Sequence, residues 1–267
     1  MDPVTIEAGL RYDWVHVDPL EEDPNSSIGA IRDRTFHAAS GSLGVLLDAG
    51  AGVTVGASVA RAFRTPDIGK LYSEGPHLAA YAYEVGNPSL GTEVGTGFDA
   101  FVRFGTERVE TEVTAFYKDI SGYVYGEETG QISPVQLPIY QFRGSDAVLK
   151  GFEGSFDWRA LGDLVLQGTA SYVRGTLRET DESLPLIPPL HGRVALEYAP
   201  TRWFARAEAE LAARQDRIGE FETETDGYAV FHAAMGLRLT LGGRTRPVSS
   251  AGTCTGSHRV RPMWSFA

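Results

Sequence analysis

The residues best suited to chemistry in this sequence are a histidine and its oxygen-bearing neighbours in the segment 74–84. His77 has Glu74 three residues before it, and Tyr81, Tyr83 and Glu84 follow it. Imidazole nitrogen and carboxylate oxygen are donors that suit Zn²⁺ or Cu²⁺. The spacing therefore predicts ligand contacts at His77, Tyr81, Tyr83 and Glu84, with a metal ion bound by His77. The alternative is a loop histidine with no ligand role.

A second candidate is an acidic cluster near the end of the chain. Closely spaced carboxylates attract cations, so the cluster predicts ligand contacts at its first three members, although a solvated loop explains the same composition. The members are Asp216, Glu220, Glu222, Glu224 and Asp226.

Other kinds of chemistry are poorly represented. The sequence contains no Gly-x-Ser-x-Gly elbow, His-Glu-x-x-His pair or phosphate-binding loop, so we expect neither an enzyme nor a bound cofactor. The net charge is −11, with 24 Lys and Arg against 35 Asp and Glu, which argues against a nucleic-acid partner. Cys254 is the single cysteine, so no disulfide forms within the chain.

The elements that must position these residues show a two-residue period. Apolar and polar residues alternate along the first segment, from Val4 to Trp14, and again from Val109 to Lys118 and from Trp203 to Leu211. Such alternation predicts strands with one apolar and one wet face, although the Ala and Glu content of the last segment also allows a helix. The predicted strands are 4–17, 35–47, 52–64, 93–104, 109–124, 138–158, 163–178, 190–199, 202–216 and 226–241.

The length of the strands and their connections indicate a membrane barrel. A tilted strand needs about 9–11 residues to cross a membrane, and most of the predicted strands are longer than this. Short turns alternate with long polar loops, which we place at 18–34, 65–92, 125–137, 179–189 and 217–225. Outer-membrane barrels show this asymmetry, with tight turns on one side and ligand-binding loops on the other. The fold class is therefore all-β, an antiparallel transmembrane β-barrel, and the alternative is a soluble β-domain that binds a ligand through its loops.

Four arginines within the strands are predicted to face the interior of the barrel. They could suit anionic ligands such as iron chelates, but charged residues are expected in the interior of any water-filled barrel. The four are Arg11, Arg103, Arg174 and Arg206.

Several segments, in this order, resemble the TonB-dependent receptors of outer membranes. The segment 60–72 is similar to a strand that ends in Arg-x-Phe-Arg-Thr-Pro before a Leu-Tyr pair, and the segments 75–79 and 83–90 continue the similarity. The segments 115–125 and 184–189 resemble the Phe-Tyr-x-x-Ile and Leu-Pro-x-Ile-Pro-Pro segments of that family. The residues that carry the resemblance around the first long loop are Arg61, Phe63, Arg64, Pro66, Leu71, Tyr72, Gly75, Pro76, Gly86, Asn87 and Pro88.

The resemblance implies active uptake of a scarce nutrient, such as a metal ion, a metal chelate or a siderophore, through the outer membrane. It covers residues 3–241 and is closest to the branch that includes zinc- and copper-uptake receptors. The family's barrel has about 22 strands, of which about ten are predicted here, with no plug domain. The TonB energy-coupling partner would act through that missing plug. Met1 begins a segment that is neither basic nor apolar enough for a signal peptide.

The end of the chain departs from the family pattern. We expect a partial barrel over residues 1–243 and an irregular tail over 244–267. Codons for Ser249–Cys254, shifted by one frame, can encode Leu-Arg-Gly-Asn-Leu, which resembles the penultimate strand of the family. We therefore hypothesise a frameshift near residues 245–250, and an uninterrupted frame in the encoding DNA that matches the tail of a true relative would rule it out.

Overall fold

The computed structural model describes residues 3–219, 222–241, 244–250 and 256–259. Most of the described chain is β-strand, and the two helical pieces, α1 (Ile68–Tyr72) and a 3-10 turn at Leu78–Ala80, lie in one loop. No helix among the described residues has the length and apolar character that crossing a membrane requires. The strands are β1 (Val4–Val17), β2 (Arg34–Gly50), β3 (Val53–Arg64), β4 (Glu74–His77), β5 (Ala82–Val85), β6 (Glu93–Gly105), β7 (Val109–Ile132), β8 (Pro138–Leu161), β9 (Leu164–Leu177), β10 (His191–Tyr198), β11 (Trp203–Ala212), β12 (Tyr228–Leu241), β13 (Arg244–Ser250) and β14 (Gly256–Arg259).

One continuous sheet joins the strands in chain order. Its path is β1-β2-β3-β6-β7-β8-β9-β10-β11-β12-β13, and each neighbouring pair on it is antiparallel. The β4–β5 hairpin and β14 lie off this path. Successive hairpins of this kind form the wall of an up-and-down barrel, in which strands are neighbours because they follow one another in the chain.

The register places the apolar residues of neighbouring strands on one face. Val4 pairs with Leu47, which pairs with Val55, and all three side chains are exposed. The same face continues through Val113, which is 54% exposed, and Leu237, which is 58% exposed. An exposed apolar face of this extent needs a non-aqueous surrounding, and the lipid-facing band of a membrane barrel provides one.

The opposite face is polar and contains ion pairs between strands. Arg103 on β6 lies 2.6 Å from Glu112 on β7, across a direct pair of the register. Arg206 on β11 lies 3.1 Å from Glu197 on β10. Charged side chains on this face remain in contact with water in a barrel whose interior is wet.

The ten predicted strands are all present, including β11, for which a helix was the alternative. One predicted loop was too long. The segment 125–137 was expected to be a polar loop, but β7 continues to Ile132 and β8 begins at Pro138. This part of β7 reads Gly-Glu-Glu-Thr-Gly-Gln over residues 126–131, so it lacks the apolar alternation that marks the rest of the strand.

Arg174 was predicted to face the interior, and the register corrects this. Arg174 pairs with Lys150, and Lys150 pairs with Tyr117 on the apolar face of β7. Arg174 therefore lies on the outward face, whereas Arg11, Arg103 and Arg206 alternate with outward residues as predicted.

Two short strands lie in the described part of the tail, and the division at residue 243 stays a prediction. β13 pairs with β12 over Met235–Leu241, and β14 pairs with β12 near Tyr228. Residues 242–243, 251–255 and 260–267 lie outside the described residues. The frameshift hypothesis stays a prediction.

Candidate ligand-binding loop

The loop between β3 and β6 has a packed base. Leu71 on α1 is completely buried and packs with Phe36, Leu90 and Val124 from three other segments. Pro66 is also fully buried, directly before α1. This apolar centre ties the loop to strands β2 and β7, so the loop has a fixed position on the barrel.

Hydrogen bonds reinforce the base of the loop. The Asp67 side chain accepts from the Lys70 amide at 2.9 Å and caps the first turn of α1. The Tyr72 hydroxyl donates to the Arg32 carbonyl at 2.6 Å, which joins this loop to the loop that precedes β2. The Asn87 side chain donates to the Phe142 carbonyl at 3.1 Å.

The remaining family-motif residues surround this base. Arg34 donates to the Pro88 carbonyl at 2.5 Å, and Arg61 donates to the Ala39 carbonyl at the same distance. Arg64 lies 4.0 Å from Glu93, which is buried. Phe63 is half-buried beside it on β3. The motif residues thus build and anchor the loop.

Two residues of the motif lie in the short hairpin that extends from this base. Gly75 and Pro76 lie on β4, which pairs with β5 from Glu74↔Val85 to His77↔Ala82. β5 also pairs in parallel with β8, from Tyr83↔Ile139 to Val85↔Gln141. The hairpin is therefore an extension of the sheet and not a free loop.

The predicted ligand residues lie on this hairpin, with His77 and Tyr81 at its turn and Tyr83 and Glu84 on β5. The His77 Nδ1 atom lies 2.7 Å from the Glu84 carboxylate, and their side chains are 54% and 27% exposed. Tyr81 is 70% exposed and has a left-handed backbone, with φ +52°. Glu74 instead accepts a hydrogen bond from Ser27 at 3.0 Å. The structure thus brings His77 and Glu84 together and separates Glu74 from them.

The geometry of the pair suits one kind of metal contact. A histidine that binds a metal through one ring nitrogen usually donates its other ring N–H to a carboxylate, which fixes the orientation of the ring. Glu84 occupies that position on the Nδ1 side of His77, so Nε2 is the nitrogen left to bind a ligand. The described part of the chain contains no group of three or more His, Cys, Asp or Glu placed to hold a metal ion. Any metal bound here takes its other ligands from elsewhere.

The acidic cluster has other partners in the structure. Glu222 accepts the backbone N–H groups of Leu186 and Gly219, each at 2.7 Å. Glu224 forms an ion pair with Arg214, and this hydrogen bond raises the pKa of the arginine above its ordinary value. Asp216 lies 4.0 Å from Arg217. Glu220 lies outside the described residues.

A polar network on the inner face was not predicted from the sequence. Arg206 donates to Gln167 at 2.8 Å, to Glu197 at 3.1 Å and to Glu208 at 2.7 Å. Gln167 lies on β9, Glu197 on β10, and Arg206 and Glu208 on β11, so residues distant in the sequence meet here. The alternation gives the face of each residue, but only the register shows which ones meet.

Comparison with known proteins agrees with this architecture. The family described as "TonB dependent receptor-like, beta-barrel" matches residues 1–245. The structure is similar to that of the copper transporter OprC, with a TM-score of 0.77 and 22% identity, covering 90% of this chain and 37% of that one. It is also similar to a mutant of the ferric enterobactin receptor PfeA from Pseudomonas aeruginosa, with a TM-score of 0.65 and 19% identity, covering 90% and 36%. For the siderophore receptor PirA from Acinetobacter baumannii the TM-score is 0.64 and the identity 16%, covering 90% and 38%.

At these identities the similarity to solved structures shows the fold alone. The chain spans between 36% and 38% of the length of these three proteins. The predicted antiparallel transmembrane barrel is confirmed, as part of a larger barrel wall.

Proposed function

Since this chain belongs to the TonB-dependent receptor family, we propose that it forms part of an outer-membrane receptor that takes up a metal ion, a metal chelate or a siderophore. Members of this family are outer-membrane transporters and not enzymes. The energy would come from the TonB complex, which would act through the plug domain of the whole receptor. The barrel wall described here would supply the passage and the outer loops that capture the nutrient.

The His77–Glu84 pair is the observation that carries the choice of ligand class. It lies on a hairpin that is anchored by the Leu71 cluster and by β8, so the imidazole has a fixed place on the loop side of the barrel. One imidazole nitrogen oriented by a carboxylate suits a borderline metal such as Cu²⁺ or Zn²⁺. A structural zinc site encloses its metal with four protein ligands. A single protein donor leaves coordination positions open, which suits transient capture.

The named ligands of the similar proteins support the same class. One is a copper transporter, and the others are receptors for ferric enterobactin and for a siderophore. All three names concern a metal or a metal chelate, and the resemblance of the motif segments to zinc- and copper-uptake receptors agrees with the first.

Uptake by the full-length receptor that contains this segment tests the proposal. Cells that depend on this receptor would be supplied with Cu²⁺, Zn²⁺ or a ferric siderophore, and accumulation of the metal would be measured. We expect His77→Ala to abolish binding of the metal ion at this site and so to lower its accumulation. Glu84→Gln should weaken binding roughly 10- to 100-fold, because the ring loses its orienting carboxylate.

The control is His16→Ala, which removes a histidine that lies at the end of β1 and contacts Thr35 at 3.1 Å. It should leave uptake unchanged. Equal uptake in the wild type and both hairpin variants for every metal would contradict the assignment of His77. Absence of any uptake that depends on the receptor would contradict the transport function itself.

The alternative function is ligand binding by a soluble or surface β-domain without transport. The apolar outward face argues against it, because residues such as Leu10, 95% exposed, and Trp14, 63% exposed, would then contact water.

A further inference from the structure

Two cations face each other on the outward surface of the barrel without a carboxylate between them. Lys150 on β8 and Arg174 on β9 are direct cross-strand partners, and both are exposed. Neither forms an ion pair or a side-chain hydrogen bond within the part of the chain that the structure describes. Like charges that are directly opposite in a sheet destabilise it, so this arrangement calls for an anion from outside the chain.

The position of the pair relative to the membrane follows from the register. Phe98 pairs with Tyr117, Tyr117 with Lys150, and Lys150 with Arg174, so these residues form one row across β6–β9. Below this row lie Phe152 and then Phe156 on the apolar face. Aromatic residues at the edge of an apolar band mark the level of the lipid headgroups. The two cations therefore lie where phosphate groups of lipids are found.

A third cation lies next to the pair. The Arg217 guanidinium lies 5.1 Å from the centre of the Tyr172 ring and also donates to the Tyr172 hydroxyl. Arg174, Arg217 and Tyr172 line a single cavity of about 430 Å³, together with apolar residues such as Phe152 and Leu190. We call this the outer notch. Asp216 lies 4.0 Å from Arg217 and offsets part of its charge, so Lys150 and Arg174 supply most of the free positive charge.

Lys150 does not line the notch itself but lies beside it, as the cross-strand partner of Arg174. We propose that Lys150 and Arg174, at the edge of the outer notch, bind the phosphate headgroup of an anionic lipid of the outer leaflet, with Arg217 in the notch beside them. The planar guanidinium binds phosphate through two parallel hydrogen bonds, and the lysine adds a compact charge. The acyl chains lie down the apolar face, on Phe152 and Phe156. The proposal rests on the place of the barrel in the membrane and is independent of which nutrient is taken up.

The two cations could also be long side chains that reach the interface without any bound lipid. In that case they would attract anionic lipids in general and retain none through extraction. A phosphate held by both residues would instead make retention depend on the phosphate and on both side chains together.

The experiment measures retained lipid on the full-length receptor that contains this segment. The receptor is purified in a mild detergent, incubated with diphosphorylated lipid A or with the same lipid after enzymatic removal of its phosphates, and analysed by native mass spectrometry. We expect the phosphorylated lipid to be retained and the dephosphorylated lipid to be lost. In the double variant Lys150→Gln and Arg174→Gln, retention should fall roughly 10- to 30-fold, since each cation near an anionic surface contributes about one factor of five.

A double variant with the same loss of charge elsewhere is the control. Lys118→Gln and Arg108→Gln remove two cations, one from the inner face of β7 and one from the turn before it, and should leave retention unchanged. Lys150→Arg keeps the charge and should retain the lipid. Gel mobility before and after heating shows whether each variant has folded.

Three results would overturn the proposal. One is equal retention of the two lipids by the wild type, and another is equal retention by the wild type and the Lys150 and Arg174 double variant. The third is a wild-type receptor that no longer retains lipid A when millimolar inorganic phosphate is added before the lipid. The notch would then be a site for a soluble anion.

Discussion

A single glycine shows how closely the candidate loop is packed. Gly86 follows β5, and a Cβ atom added to it would lie 2.7 Å from the backbone of Leu71 and Tyr72. Its amide also donates to the Ser73 carbonyl at 2.7 Å. Backbone atoms next to the buried Leu71 cannot move aside as a flexible side chain can, so any side chain at this position overpacks the contact. The resemblance of this segment to a family motif thus has a physical reason at Gly86, the close approach of two chain segments.

We therefore expect Gly86→Ala to loosen the loop between β3 and β6. The extra methyl group overpacks the contact with α1 and should cost about 1–3 kcal/mol. Protease cleavage within this loop, measured on the folded full-length receptor, should become faster. Gly75→Ala is the matched control, because no atom lies within 4 Å of the Cβ position on that strand. Equal cleavage rates in the two variants would show that the contact at Gly86 does not hold the loop.

At the scale of elements, the two faces of each strand have different surroundings. On β7, Val113 pairs with Val102 and Gly154 on the apolar face, and Thr114 pairs with Phe101 and Glu153 on the inner face. Because successive side chains point to opposite faces, neighbouring positions on one strand test lipid and water separately. A charged residue placed on each face in turn therefore distinguishes a membrane barrel from a soluble domain. In a soluble domain, replacing an exposed valine by a charged residue would cost little stability.

Val113→Arg should destabilise the barrel by about 2–4 kcal/mol if the position lies near the middle of the membrane. Thr114→Arg is the control, because it places the same charge beside Glu153 in an inner cavity of about 390 Å³. Folding of the full-length receptor into lipid vesicles, followed by urea titration, would measure both. If Val113→Arg is no more harmful than Thr114→Arg, the outward face does not contact lipid.

The strands could be predicted from the sequence because alternation is a local property. β1 agrees with its prediction at both ends, since Val4–Val17 has one apolar face throughout. The β4–β5 hairpin could not be predicted in this way, because β5 is only four residues long and pairs with β8, whose sequence position is distant. Arg174 was assigned to the wrong face because its charge was taken as a sign of the interior, whereas the register pairs it with Lys150 on the outward face.

The candidate site could be predicted only in part, for a similar reason. His77 and Glu84 are seven residues apart and meet because a hairpin brings them together. Their closeness in the sequence was therefore enough to group them in one candidate site. The base of the loop depends on Phe36 and Val124, which come from β2 and β7, and nothing local shows that contact. Whether the hairpin residues bind a ligand stays a prediction, which the uptake of the His77 and Glu84 variants would test.

For the whole molecule, the pairing of the strands has an open side. β1 pairs with β2, and within the described residues no strand pairs with its other edge. A β1 edge of 14 residues would leave a row of backbone N–H and C=O groups unpaired. In lipid each such group costs several kcal/mol, and an exposed edge pairs readily with other chains. The wall therefore needs further strands to be stable in a membrane.

We expect these 267 residues, produced alone, to aggregate or to remain unfolded in detergent. The apolar outward face and the free edge of β1 would both be satisfied by association with other copies. Size-exclusion chromatography and urea unfolding in detergent would measure this, with the full-length receptor, in which further strands can cover that edge, as the control. A monodisperse monomer that unfolds in one cooperative transition would contradict the prediction, because the edge would then have found a partner within the chain itself. In that case β1 and the tail after β12 should be examined first, since pairing between the two ends is the remaining way to close the wall.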